Sequence, residues 1–461
     1  MIAENWELLR ERPETGYDSV SISVSPGENQ LVTERDNAGN GGERMTTPQG
    51  PGASESAVPT LRRGLGLIEV VVYGVGLILG AGIYAILGEA TAVAGEAVTL
   101  SFLLAAVVAS FTGLSYAELA SRFPKGEGDY VYVREAIGSK RLAEAVAFLR
   151  VFVGAVSAAA VALAFAGYLA SFVRTPAVAA AVGLVVAASA VNFWGIETSA
   201  KLNLLFTAAE VAGLALVIWV GGGAWRTVSP MAAPYGIAGV FEATFLVFFA
   251  YLGFGSIVNV AEETTDPTRT IPRAILISIG ITTVLYVLVA VSAVAVVDWR
   301  VLGQSASPLA LVAETGGGRA LGTLVAAIAL TSTANTVLIL LVSTSRLLYG
   351  VSKSEYRSFP TVFSKVHQTR RTPYLAVALV GALTVPFVLI GDLGAVAGLA
   401  NAALLVVFVM VNGSLLKLRF DAPDVREGFT APLTVGRFSV TALFGLVTSL
   451  GLLVIFLGNQ L

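Results

Sequence analysis

The chain has 461 residues, 55% of them hydrophobic and 13% charged, with a formal net charge of −2. Soluble proteins carry about 25% charged residues, so a chain of this length and composition reads as a polytopic helical membrane protein rather than a soluble domain. Cysteine is absent and His367 is the only histidine, which excludes a disulfide framework, thiol chemistry and Cys- or His-based metal centres.

Residues 1–60 are rich in Gly, Ser, Thr, Pro, Asn, Asp and Glu and lack apolar periodicity. They are expected to form a disordered cytoplasmic tail ahead of a membrane domain at 61–461. No signal peptide opens the chain, so the first span is expected to serve as the insertion signal. Eleven apolar spans follow, at approximately 67–94, 97–120, 141–172, 177–195, 200–221, 239–260, 274–297, 319–350, 373–391, 394–417 and 436–458.

The first span is interrupted by glycine: Gly74, Gly76, Gly80 and Gly82 fall within nine residues. Each destabilises a helix by about 1 kcal/mol relative to alanine. A backbone unwound in hydrocarbon leaves its N–H and C=O groups without partners, which is tolerated only where they face a protein-lined cavity. The sixth span carries a second interruption, Tyr251-Leu252-Gly253-Phe254-Gly255. Spans one and six open two successive sets of five, 67–221 and 239–417, with 436–458 left over. Matched interruptions predict an inverted repeat with a site between its halves. Close helix approach through small residues is the plainer alternative.

Lys and Arg set the expected orientation. Arg62, Arg63, Arg122, Lys125, Arg134, Lys140, Arg269, Arg273, Arg346, Lys353 and Lys417 fall on the side of the tail, against Arg174, Arg226, Arg300 and Arg319 opposite. This places the N-terminus in the cytoplasm and, with eleven spans, the C-terminus outside the cell membrane.

Four motifs in order carry a family resemblance. Gly76–Tyr84 resembles the first-helix motif of the amino acid–polyamine–organocation (APC) transporters. The stretch from Tyr116 to Tyr130, with Phe123-Pro124-Lys125-Gly126 inside it, resembles their loop after helix two. Glu262-Glu263-Thr264-Thr265-Asp266-Pro267 resembles their signature after helix six. Ser345-Arg346-Leu347-Leu348-Tyr349, followed by Arg371-Thr372-Pro373, resembles their eighth-to-ninth connection. The cationic-amino-acid-transporter-like branch is the nearest in flavour. The resemblance implies an all-α polytopic protein with the five-plus-five inverted-repeat (LeuT-like) fold, broken helices one and six, and alternating-access transport of an amino acid. Family members commonly have twelve spans, so a dimer interface using a final helix is in question here.

At the matching positions the resemblance places the substrate. The N–H groups of Ala81, Gly82 and Ile83, following Gly80, would start a new helix at a positive dipole end suited to a carboxylate. The carbonyls of Leu77 and Ile78, with those of Phe249 and Leu252 beside Gly253, would accept the ammonium. Phe249 and Tyr251 are candidates for an aromatic beside the substrate, or plain core. Gly255 stands where many relatives carry an acidic residue, which favours a neutral substrate.

Glu210 lies about 14 Å from Lys201 along span five, near the bilayer midplane. An ionisable group there costs about 3 kcal/mol or more and reads as functional. Burial disfavours the charged carboxylate, so a proton-coupling role is expected. Proton-coupled relatives often hold a lysine at this position, and glutamate reverses that charge. The alternatives are a protonated glutamate bonding a neighbouring helix, or a carboxylate helping to bind sodium with Thr331 or Ser332. Glu69, Glu118 and Arg150 are expected to snorkel or pair in loops, and Glu262, Glu263 and Arg269 to form ion pairs. Gly126-Glu127-Gly128-Asp129 matches an intramembrane aspartyl protease pattern but reads as a loop motif. No His-Glu-x-x-His or Walker pattern occurs, so neither a zinc protease nor an ATPase is expected, and no cofactor or nucleic-acid partner. The expected function is secondary active transport of an amino acid. A nutrient sensor on the same fold, a channel, and sodium-coupled or exchange transport of cationic amino acids or polyamines remain as alternatives.

Overall fold

The computed structural model describes residues 64–126, 128–195, 200–229, 231–353, 360–421 and 428–460. The expected tail, residues 1–60, lies outside them, as do Glu127 and the side chain of Lys201. The chain enters by pairing with a distant segment. The N–H groups of Gly64 and Leu65 donate to the Glu263 carbonyl (2.9 and 3.1 Å), and Thr265 N–H donates to the Leu65 carbonyl at 2.9 Å. The start of span one is thereby tied to the end of span six.

Helix α1 (Leu67–Leu79) follows, its Glu69 carboxylate accepting the Gly66 N–H at 3.1 Å. After a break come α2 (Gly82–Ala94), a turn at Gly95–Ala97, α3 (Val98–Arg122) and α4 (Asp129–Ile137). Then follow α5 (Lys140–Leu169), α6 (Ala177–Trp194), α7 (Ala200–Gly221) and α8 (Gly236–Val247). Helix α8 continues as a tighter 3-10 segment, Phe248–Glu263, before α9 (Pro267–Val296), α10 (Trp299–Gly303) and α11 (Pro308–Gly317). The chain closes with α12 (Arg319–Lys353), α13 (Tyr374–Val388), α14 (Leu393–Asp421), a hairpin pairing β1 (Thr434–Val435) with β2 (Phe438–Ser439), and α15 (Val440–Gln460).

Among the described residues, nine helical stretches are long and apolar enough to cross a membrane. One of them, Gly82–Arg122, joins the second half of span one (α2) to span two (α3) through Gly95–Ala97, and α1 and α13 are shorter apolar helices. Each of the eleven expected spans has a helical counterpart within a few residues. Helix is the solution because hydrocarbon offers no partner for backbone polar groups. The hydroxyls obey the same rule and bond back one turn, as Thr91 does to Leu87, Thr244 to Val240 and Thr384 to Val380 (2.7–2.9 Å). Helix α5 packs against α12, α14 and α6, and α9 against α3, α1 and α7. The buried face of α5 carries Ala155, Ala158, Ala159 and Ala162, small residues that permit the close approach on which helix association in lipid depends.

Two expectations about charge are corrected. Glu118 does not snorkel. It is fully buried, and Arg419 grips both its carboxylate oxygens, through Nε at 2.9 Å and through the second guanidinium nitrogen. Arg122 reaches the same carboxylate at 2.6 Å and Ala431 N–H at 2.9 Å. One buried anion thus joins α3, α14 and the segment leading to α15. Its position near a helix end disguised it, because the partner lies 301 residues away. Arg150 is likewise held inside, its Nε 2.6 Å from buried Asp129, so the Gly126–Asp129 motif supplies a packed ion pair rather than a loop charge. Of Glu262, Glu263 and Arg269, expected to form ion pairs, Arg269 has one with a loop carboxylate. Glu262 accepts the Gly126 N–H at 3.3 Å, and Arg269 lies 3.9 Å from exposed Asp266.

Removing one partner of a buried charge network costs about 3–5 kcal/mol. Glu118→Gln leaves two guanidinium groups without their anion. The variant is expected to unfold at a distinctly lower temperature in detergent than wild type, and an unchanged thermal midpoint would refute the role given to this network.

Candidate functional site

The break in span one is a sharp corner. Gly80 has φ +25° and ψ −143°, a conformation that glycine adopts without the Cβ penalty other residues incur. Its N–H still donates to the Gly76 carbonyl at 3.1 Å, closing α1. The chain restarts at Ala81, whose carbonyl accepts from Ala85 at 2.9 Å. With no preceding turn, the first N–H groups of α2 have no intrahelical acceptor. Ala81, Gly82 and Ile83 therefore stand at a buried helix N-terminus, the place expected for an anion cradle.

Span six behaves differently from expectation. It does not open at Gly253-Phe254-Gly255 but tightens into the 3-10 segment from Phe248 onward. A 3-10 turn keeps backbone groups bonded to residues three apart, where an open coil would strand them without water. A stretch this long is unusual, and a run of it within a helix often marks a hinge.

The two segments meet backbone to backbone. A Cβ on Gly82 would come within 2.7 Å of the Ala250 Cα, and one on Gly253 would fall on the Leu77 carbonyl oxygen and within 2.7 Å of the Ile78 nitrogen. The Leu77 carbonyl, expected to receive an ammonium, is thus covered by Gly253. The carbonyls of Phe249 and Leu252 are not the ones gathered at the break either. Those that gather are Ile78, Leu79 and Ala250, at 2.7, 3.4 and 3.0 Å from the hydroxyl of Tyr286 on α9. Tyr286, Leu79 and Ala250 were not among the residues expected at the break. A lone tyrosine in the middle of an apolar span was a usable signal, since a buried phenol seeks an acceptor.

Phe249 and Tyr251 are both buried. Tyr251 packs edge-on against Tyr286 with ring centroids 5.3 Å apart, and its hydroxyl donates to the Phe102 carbonyl at 3.3 Å. It therefore supports Tyr286 instead of lining an open space. Leu252 is half-buried.

Glu210 is buried on α7, with 3% of its surface exposed. Its Oε1 accepts from the Ser332 hydroxyl at 2.7 Å, and the same Ser332 oxygen lies 3.4 Å from the Gly80 carbonyl. Tyr84, in the first turn of α2, donates to the Glu210 backbone carbonyl at 3.1 Å, and Tyr168 on α5 donates to the Tyr84 carbonyl at 3.0 Å. Glu210 is thus attached to the break on both sides, at Gly80 and at Tyr84. Thr331 does not take part. It is exposed and its hydroxyl bonds back to Ile328 and Ala327, because one step along a helix turns a side chain by about 100°. Thr336, one turn beyond Ser332, faces the break instead: a Cβ on Gly80 would lie 3.3 Å from its hydroxyl.

A bundle of helices long and apolar enough to cross a membrane, one of them broken at buried backbone groups beside a buried carboxylate, is an arrangement that membrane transporters use. The family model described as amino acid permease matches residues 65–460. An uncharacterized transporter of Mycobacterium tuberculosis is 34% identical over 369 residues, covering 78% of this chain and 81% of the relative. A branched-chain amino acid permease of Bacillus subtilis is 27% identical over 406 residues, covering 82% and 86%. Human cationic amino acid transporter 4 is 30% identical over 389 residues, covering 78% and 60%. The chain belongs to the amino acid permease family of the APC superfamily, and it is a multi-pass membrane protein.

Proposed function

We propose that the protein is a secondary active transporter that moves a neutral amino acid across the cell membrane by alternating access, driven by protons through Glu210. In this reading 67–221 and 239–417 are inverted repeats, α15 is an added helix, and the N-terminus is cytoplasmic with the C-terminus outside. The substrate carboxylate sits on the N–H groups of Ala81, Gly82 and Ile83, and its ammonium on the carbonyls of Ile78, Leu79 and Ala250.

The observation that carries the coupling is the chain from Glu210 through Ser332 to Gly80. Ser332 has a single proton. With Glu210 ionised, that proton is held by Oε1 and the Gly80 carbonyl receives nothing from Ser332. With Glu210 protonated, its own O–H donates to the Ser332 oxygen, and Ser332 turns its proton to Gly80. A proton taken up at Glu210 therefore reverses the direction of the chain and changes how firmly the corner of the break is held. A buried donor or acceptor left unmatched costs about 1–3 kcal/mol, enough to bias two conformations of one helix joint.

A neutral, apolar substrate is supported by Gly255, which offers no countercharge, and by the name of the Bacillus relative. The human relative's name points to cationic substrates, which a competition assay separates. The experiment is uptake of labelled leucine into proteoliposomes under an imposed proton or sodium gradient, with unlabelled leucine, valine, lysine and arginine as competitors. Proton-driven accumulation blocked by leucine and valine supports the reading. Accumulation driven only by sodium transfers the coupling to a cation held by Glu210, Ser332 and Gly80 oxygens. Protein without uptake or exchange of any of these amino acids sinks the transport reading in favour of a sensor.

A further inference from the structure

Tyr286 sits where the two interrupted spans touch. Its hydroxyl is within reach of three carbonyls, two from span one (Ile78 at 2.7 Å, Leu79 at 3.4 Å) and one from span six (Ala250 at 3.0 Å). The residue is fully buried on α9, wedged edge-on against Tyr251 and tilted against Phe102, so its position is fixed by packing. A phenol has one proton. The Ile78 and Leu79 carbonyls belong to the last turn of α1 and have no intrahelical donor, so two buried helix-end acceptors share one phenol proton with the carbonyl of Ala250, and an unmatched buried acceptor carries a desolvation penalty. A primary ammonium brings three N–H donors to such a group of carbonyls, and the phenol oxygen can itself accept.

We propose that Tyr286 is a positioning residue that stands in for the substrate's ammonium in the empty carrier. Its O–H holds the span-one and span-six carbonyls together when no amino acid is bound, so that the unloaded protein can pass between its two orientations. The inference rests on the transport reading above and adds a step to it. Net transport requires the empty carrier to return, whereas exchange of one amino acid for another uses only the loaded carrier. A hydroxyl that serves the empty form alone is needed for the first mode and dispensable for the second.

The test is Tyr286→Phe, which keeps the ring and its packing and removes only the hydroxyl, in proteoliposomes with leucine as the probe. Net uptake into leucine-free vesicles is expected to fall about tenfold, the effect of leaving one buried carbonyl without its donor. Exchange of external labelled leucine for internal unlabelled leucine is expected to stay within about twofold of wild type, as that mode needs no empty return. Tyr286→Leu, lacking both ring and hydroxyl, serves as the second variant should the first fail to yield monodisperse protein; loss of the ring's packing lowers both modes there, and net uptake should still fall about tenfold further than exchange. A purely structural tyrosine would lower both modes together. Equal loss of the two modes, or no change in either, overturns the inference while leaving the transport reading intact. Wild-type protein inactive in both modes overturns the transport reading and this inference with it.

Discussion

With one pH unit imposed across proteoliposomes, acid outside, wild-type protein moving one proton per substrate is expected to accumulate leucine about tenfold, since that gradient is worth about 1.4 kcal/mol. Glu210→Gln is expected to equilibrate without accumulation. Glutamine has nearly the shape of a protonated glutamate, so it keeps a partner for Ser332 but cannot give up or take back a proton. Exchange at zero gradient should persist in the variant, and its rate should no longer depend on external pH. Ser332→Ala provides the companion measurement. It leaves the titratable group in place and cuts the connection to Gly80, so protons should still bind while accumulation drops. Full proton-driven accumulation by Glu210→Gln would remove the carboxylate from the mechanism. Loss in Glu210→Gln with full retention in Ser332→Ala would keep Glu210 and discard the chain through Ser332.

Gly253→Ala should be the most damaging of the conservative glycine changes near the site. The added methyl would fall on the Leu77 carbonyl oxygen, and the obstacle is backbone, which has no rotamer to move away. The spans must separate locally by something near 1 Å, a displacement that can cost a transport or catalytic rate about a hundredfold, while overpacking of this kind costs about 1–3 kcal/mol in stability. The expected result is protein that still reaches the membrane but transports at about 1% of the wild-type rate. Gly255→Ala is the matched control. A Cβ there would lie 3.5 Å from the Tyr116 ring, an ordinary contact, so transport should remain within about twofold of wild type. Comparable losses at both positions would show that the approach of Gly253 to Leu77 has no special part in function.

Much of the architecture was legible because hydrocarbon imposes one rule on every segment. Apolar length predicts helix, and glycine density in span one predicted a corner that Gly80 supplies with its positive φ. Burial of Glu210 was legible by counting along the span, and Ser332 was named as a partner by type. What was not legible depended on rotation and on distant pairing. Thr331 and Ser332 are adjacent in sequence and differ only in which way they face. That the Leu77 carbonyl is covered depends on where Gly253 comes to rest, 176 residues on. The winding of span six was missed because glycine spacing does not distinguish an opened helix from one that tightens. Glu118 was misread because nothing in its local sequence announces Arg419.

That last pairing has a consequence for how the molecule is built. Glu118 enters the membrane when its helix is made, and only Arg122, one turn away, is then present to balance it. The second guanidinium is added 301 residues later, and the Ala431 N–H later still. A growing chain therefore carries an under-compensated anion through most of its synthesis, and the segment before α15 acts as the closing stitch. Chains released before residue 431 should retain an incompletely matched Glu118 and offer membrane quality-control proteases a ready means of telling unfinished copies from finished ones.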